Sequence, residues 1–96
     1  MNVRALRDPM LDSLIPGGRD LIAFVDAINL LDFDELPIAR NDLISRVGRS
    51  GAMRAASVCA AFEGTNRILD ALCVKVNARY LDIGAALGID VPDHLL

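Results

Sequence analysis

Residues Ser50 to Leu87 read SGAMRAASVCAAFEGTNRILDALCVKVNARYLDIGAAL, and the spacing of their apolar side chains decides what kind of fold this chain adopts. At about 100° per residue, Val58, Phe62, Thr65, Leu69, Leu72, Val76, Tyr80, Ile83 and Leu87 all fall within about 40° of one line along a single helix. Only Thr65 among them is neither apolar nor aromatic, and none is charged. Glu63, Arg67, Asp70, Lys75, Arg79 and Asp82 lie between them. A break in the middle would ordinarily lose this phase, so the pattern predicts one helix from about Ser50 to about Leu87, stopped by Gly88 and then Pro92. The alternative is two helices with a bend between Val74 and Asn77, where β-branched residues and Asn lower helix propensity. Gly64 inside the run costs about 1 kcal/mol relative to Ala and leaves room for close helix approach.

Upstream, Leu21, Phe24, Val25, Ile28 and Leu31 recur three and four apart, with Asp20 in the first turn, so a helix is expected from Arg19. Pro16-Gly17-Gly18 ends whatever precedes it. Val3, Leu6, Met10, Leu11 and Leu14 hint at a short first helix that Pro9 opposes. The run Asp32-Phe33-Asp34-Glu35-Leu36-Pro37 interrupts the period, and Pro37 suits the first turn of another helix, where its missing N–H costs nothing. Ile38, Leu43, Ile44 and Val47 supply its buried side, Gly48 stops it, and Ser50 is the expected N-cap of the next. The whole reads as one all-α domain spanning 1–96: a small helical bundle with a long C-terminal helix.

Composition sets the outer limits. Of the 96 residues 53% are hydrophobic but only 4% aromatic, a mix of Ala, Leu, Ile and Val that suits helix packing better than a sheet sandwich. The net charge is −3. Residues 1–48 carry five basic and eight acidic side chains and residues 49–96 five of each, so no basic cluster is available to neutralise phosphates and no nucleic-acid partner is expected. Uncharged stretches fall short of the roughly 18–20 residues that cross a bilayer. Met1 to Arg7 runs into Asp8 and Pro9 without the apolar core of a secretory signal. No membrane partner is expected, and the cytoplasm is the default compartment.

Nucleophile elbows, phosphate-binding glycine loops and zinc-protease helices are missing, and no catalytic residue, metal site or cofactor is assigned. On one helix Cys59 and Cys73 lie about 21 Å apart along the axis, too far to bond within the chain. They read as small buried apolar side chains, with a redox or inter-subunit thiol pair as the alternative. Glu63, Arg67 and Asp70, spaced four and three apart, form a candidate polar cluster opposite the apolar seam: a solvated charge ladder, or a ligand-holding group if assembly buries it. Asp32, Asp34 and Glu35 lack the spacing of a calcium loop and read as helix-start acidity. His94 stands alone without a companion at metal-ligand spacing.

The run Ala60-Ala61-Phe62-Glu63-Gly64-Thr65-Asn66-Arg67-Ile68-Leu69-Asp70-Ala71-Leu72 resembles the closing helix of AhpD-like proteins of the carboxymuconolactone decarboxylase superfamily. Leu21-Ile22-Ala23-Phe24-Val25 and the segment from Ala39-Arg40 through Leu43 to Gly48 are similar in order and spacing to the helices before it, so the resemblance covers about residues 19–72. It implies an all-α fold that assembles through its helices. The Cys-x-x-Cys motif with a nearby His, which the family's peroxidases use, has no counterpart here, and no catalytic residue carries over. The resemblance also allows a short relative, a partner subunit or the later half of a longer protein.

A helix from Ser50 to Leu87 would be about 57 Å long, against a diameter of about 30 Å for a compact chain of this size. The projecting end would expose Val76, Tyr80, Ile83 and Leu87, which are therefore the expected interface of a homo-oligomer, a dimer or higher. The function expected is that of a non-catalytic helical homo-oligomer: a scaffold, a regulatory subunit or a small-ligand binder. The alternatives are an AhpD-like enzyme whose site is degenerate or completed by another chain, and a helical adaptor for a different protein.

Overall fold

The three-and-four spacing of Leu21, Phe24, Val25 and Ile28 forms the helix it predicts: in the computed structural model, which describes all 96 residues, α1 runs Gly18–Asn29. Gly17 precedes it at φ 69°, a left-handed geometry that glycine adopts without steric cost. The helix closes through Leu31 at φ 53°. The Asp32 N–H donates to the Ala27 carbonyl at 3.0 Å and the Leu31 N–H to Ile28 at 3.2 Å, the paired closure of a Schellman motif. Asp32 then turns to the next helix, its Oδ1 accepting the Glu35 N–H at 3.1 Å while its carbonyl accepts the Leu36 N–H at 2.9 Å. The acidic run thus serves as a helix start, and α2 follows over Leu36–Ala71 with Pro37 in its first turn.

Gly48 divides α2 into two arms, residues 36–47 and 49–71, because its backbone at φ 79° and ψ 171° is not helical. That conformation is essentially reserved for glycine. The position of the stop is the one its sequence signals, whereas Ser50, the expected N-cap, lies within α2. Close behind the break, a Cβ on Gly51 would come within 2.7 Å of Val47 Cγ2, so a side chain there would force the two arms apart. Replacing Gly48 by Ala is expected to cost about 1–3 kcal/mol. Thermal unfolding followed by circular dichroism checks this, at about 4–8 °C of midpoint per kcal/mol for a chain this size.

Three helical segments meet in one small core. Arg46 Nε reaches Asp20 Oδ2 at 3.1 Å, which places the end of the first arm beside the start of α1, so these two run antiparallel. The second arm turns back along α1, and Cys59 Sγ donates to Asn29 Oδ1 at 3.5 Å at the far end of that helix. Phe24 and Ala27 from α1, Ala39 and Leu43 from the first arm and Ala52 from the second form the buried cluster, with Leu43 fully enclosed. Leu21, Ile28, Leu36 and Ile44 pack around it.

The long helix stops at Ala71 rather than continuing to Leu87. Cys73 adopts φ 52°, the Val74 N–H donates to the Leu69 carbonyl at 3.0 Å and the Cys73 N–H to Asp70 at 3.1 Å, so the last carbonyls are satisfied by a second Schellman closure. Val74 and Val76 favour extended backbone. Asn77 then accepts the Arg79 N–H at 3.1 Å and opens a 3-10 turn at Ala78–Tyr80. A short helix, α3, covers Leu81–Ala86 and ends at Gly88, φ 69°, where the stop was expected. The bend between Val74 and Asn77 is therefore the correct alternative. The chain carries its long helix in the middle, not at the C-terminus.

The tail after Cys73 returns to the N-terminal segment. Arg7 Nη1 donates to the Leu87 carbonyl at 2.8 Å, and the Val76 N–H donates to Leu95 at 2.7 Å. The first fifteen residues form only a 3-10 turn at Val3–Leu6, because Asp8 and Asp12 each take a backbone N–H two residues on and so hold turns in place of a helix.

Candidate assembly surface

The side of the second α2 arm that meets α1 is built from small residues. Ala52 is buried, and Ala55 and Ala56 pack at the edge of the core, so the two helices approach closely. α1 ends at Asn29. Beyond Cys59 the cover from α1 thins: Phe62, Glu63 and Asn66 still border a hollow shared with Leu21, Val25 and Asn29, and every residue from Ala60 to Lys75 is exposed. That stretch includes the apolar line of the seam: Phe62 is 65% exposed, Leu69 41% and Leu72 71%, with Val58 at 56% just before it and Ile68 at 62% on its flank.

Beside this ridge lies a hollow. A groove of about 580 Å³ opens between α1 and the second arm, lined by Leu21, Val25, Ala55, Val58 and Phe62, with Asn29, Arg54, Glu63 and Asn66 among its polar groups. The chain as a whole is poorly closed. Only 8 of 96 residues are buried and the accessible surface is 7462 Å², against about 5,400 Å² for a compact protein of this mass. The radius of gyration is 14.8 Å where about 12.5 Å is usual.

Of the proposed polar cluster, Glu63 and Arg67 come together at 3.6 Å as an exposed pair one turn apart, an arrangement that contributes at most a few tenths of a kcal/mol. Asp70 takes part in no ion pair, and its backbone carbonyl holds the helix end. The four residues expected at an interface sit elsewhere than on a projecting helix. Val76 and Leu87 are half-buried in the returning tail. Tyr80 stands in the 3-10 turn with the Arg79 guanidinium 4.7 Å over its ring, and Ile83 is 43% exposed on α3. With α2 ending at Ala71, these four residues share no projecting helical face. The exposed apolar line belongs instead to Val58, Phe62, Leu69 and Leu72, which the same seven-residue rhythm contained.

A second hollow, of about 560 Å³, is lined by the N-terminal loop and the start of α1. Most of its charged groups are already engaged, Arg46 with Asp20, Arg19 with the Pro9 carbonyl and Asp12 with the Leu14 N–H, and Asp26 is the exception. No group of three or more His, Cys, Asp or Glu side chains gathers anywhere in the chain, and every buried side-chain polar atom has a hydrogen-bond partner. No helix is long and apolar enough to cross a membrane.

Cys59 is half-buried and Cys73, contrary to the expectation for it, is exposed. The helix from Cys59 to its end at Ala71 alone spans about 18 Å, more than twice the roughly 7 Å a disulfide tolerates. Oxidation with dilute peroxide is thus expected to give no intramolecular disulfide. Non-reducing peptide mapping checks this, and a Cys59–Cys73 linked peptide from monomeric protein would contradict the helix that holds them apart.

No family model, curated protein or solved structure matches this chain.

Proposed function

We propose that this chain is a non-catalytic helical subunit, a scaffold or regulatory component, that works as a homo-oligomer with the far half of α2 buried against another copy. The observation that carries the reading is that exposed half-helix. A helix of about a dozen residues is marginal in water even with good propensity, yet residues 60–71 hold helical form with every residue exposed and present Phe62, Ile68 and Leu69 to solvent.

The magnitudes favour association. Burying an aliphatic or aromatic side chain contributes about 1.5–3 kcal/mol. Scaled by their exposed fractions, Val58, Phe62, Ile68, Leu69 and Leu72 offer about 4–9 kcal/mol per copy, and twice that across a symmetric pair. This compares well with the roughly 4–15 kcal/mol of freedom lost on binding. The AhpD-like resemblance, whose residues 19–72 span the same three helical segments, would imply assembly through helices as well. Catalysis forms no part of the proposal: the two thiols are held apart, and Glu63 and Arg67 of the polar cluster pair with each other on the surface.

Amide hydrogen exchange tests the reading. In concentrated protein the amides of residues 62–71 are expected to exchange slowly, and to become fast on dilution as the assembly separates. Exchange that is fast at every concentration would show that the half-helix is simply frayed, and would sink the proposal.

A further inference from the structure

The seam of the second arm runs Gly51, Ala55, Val58, Phe62, Thr65, Leu69 and Leu72, spaced alternately four and three. This is the heptad rhythm of helices that pack knob into hole. All of these positions lie on the arm or at its C-cap, and none is charged. Bulk is distributed unevenly along the line: small residues occupy the half that lies beside α1, and large ones occupy the half that projects past it. Leu21 and Val25 of α1 deepen the first half into the groove described above. The groove runs on as far as Phe62, so one chain carries on the same line a groove over its first half and, from Phe62 onward, an exposed ridge.

The geometry points to a two-fold dimer in which the second α2 arms of two copies lie antiparallel, the ridge of each seated in the groove of the other. This rests on the homo-oligomer reading and gives it a partner surface and a register. Alternate heptad positions face one another across an antiparallel pair. Ala55 then lies against the partner's Leu72, Val58 against the partner's Leu69, and Phe62 against the partner's Thr65, with the two-fold axis at the level of Glu63 and Gly64. Each layer matches a larger side chain with a smaller one, which is what dense packing requires. The reciprocal contacts satisfy the self-complementarity a two-fold interface demands.

Area supports a second copy as the occupant. By their exposed fractions, Val58, Phe62, Ile68, Leu69 and Leu72 present roughly 500 Å² of apolar surface, more than half of the about 800 Å² that one partner brings to a standard interface, and the groove beside them adds to it. Electrostatics neither opposes nor directs the pairing, since the Glu63–Arg67 pair is turned away from the seam on the helix surface.

Cysteine cross-linking reads the register directly. In a Cys59→Ser, Cys73→Ser background, Val58→Cys and Leu69→Cys in the same chain are expected to give disulfide-linked dimers under oxidised glutathione, while neither single replacement does. The two positions are eleven residues apart on one helix, about 16 Å, so they cannot close within a chain. Both are exposed in the monomer, and retained helicity by circular dichroism verifies the fold. A doubled mass without this cross-link, or cross-linking by Leu69→Cys alone, would overturn the antiparallel register and leave self-association standing. A folded protein at the mass of one chain would overturn both.

Discussion

Phe62→Asp is expected to convert the assembly to folded monomer, raising the dissociation constant at least about 1,000-fold. In the isolated chain this side chain is 65% exposed, at the groove between α1 and the second arm. Substitution of such a surface residue ordinarily changes stability by no more than about 0.5 kcal/mol. In the assembly the same change removes a buried aromatic and places an unpaired carboxylate in an apolar layer, twice per dimer, at about 2 kcal/mol or more each. About 4 kcal/mol corresponds to that 1,000-fold factor. The effect should therefore appear in sedimentation or light scattering and not in the unfolding of the monomer. Phe62→Leu, which keeps an apolar side chain, should retain the assembly. Equal loss of fold and assembly in the Asp variant would mean that Phe62 supports the chain's own core.

Leu43→Ala should have the largest effect on the fold itself, about 2–5 kcal/mol. Leu43 is completely enclosed, and three of the other four residues in the buried cluster are alanines, so Leu43 supplies much of the core's volume and its truncation leaves a cavity. A domain of this size holds about 5–15 kcal/mol in all, and one with so few buried residues belongs near the lower end. The urea midpoint measured at fixed protein concentration is the appropriate readout, because association adds apparent stability by mass action. A shift below about 1 kcal/mol would contradict the placement of Leu43 at the centre of the three segments.

Signals confined to a few neighbouring residues were legible in the sequence. The apolar rhythm of Leu21 to Ile28 gives α1, Pro37 marks the first turn of α2, Gly48 marks its break and Gly88 the stop of α3. The end of α2 was harder to read for a definable reason. A Schellman closure usually shows a glycine, and here the left-handed positions are held by Leu31 and Cys73, which carry no such mark. The apolar phase continues past Cys73 although the backbone does not, since Val76, Tyr80, Ile83 and Leu87 belong to the returning tail. Asn77, which caps the 3-10 turn, was the local sign of a new start, and periodicity outweighed it.

The candidate surface followed the same division. Val58, Phe62, Leu69 and Leu72 were already on the seam, because heptad spacing is a property of the chain alone. Which part of that seam lacks a partner depends on where α1 ends relative to Cys59, and only the three-dimensional arrangement supplies that. The groove at Leu21 and Val25 was hidden for a related reason. Those residues read as the buried side of α1, whereas the small side chains opposite them leave one edge open.

The central claim is that the far half of α2 is covered by a second copy, and the mass of the purified wild-type chain in solution tests it most directly. Light scattering coupled to size exclusion at micromolar concentration should give at least twice the 10.3 kDa of one chain. A well-folded, monodisperse protein of 10.3 kDa would contradict it.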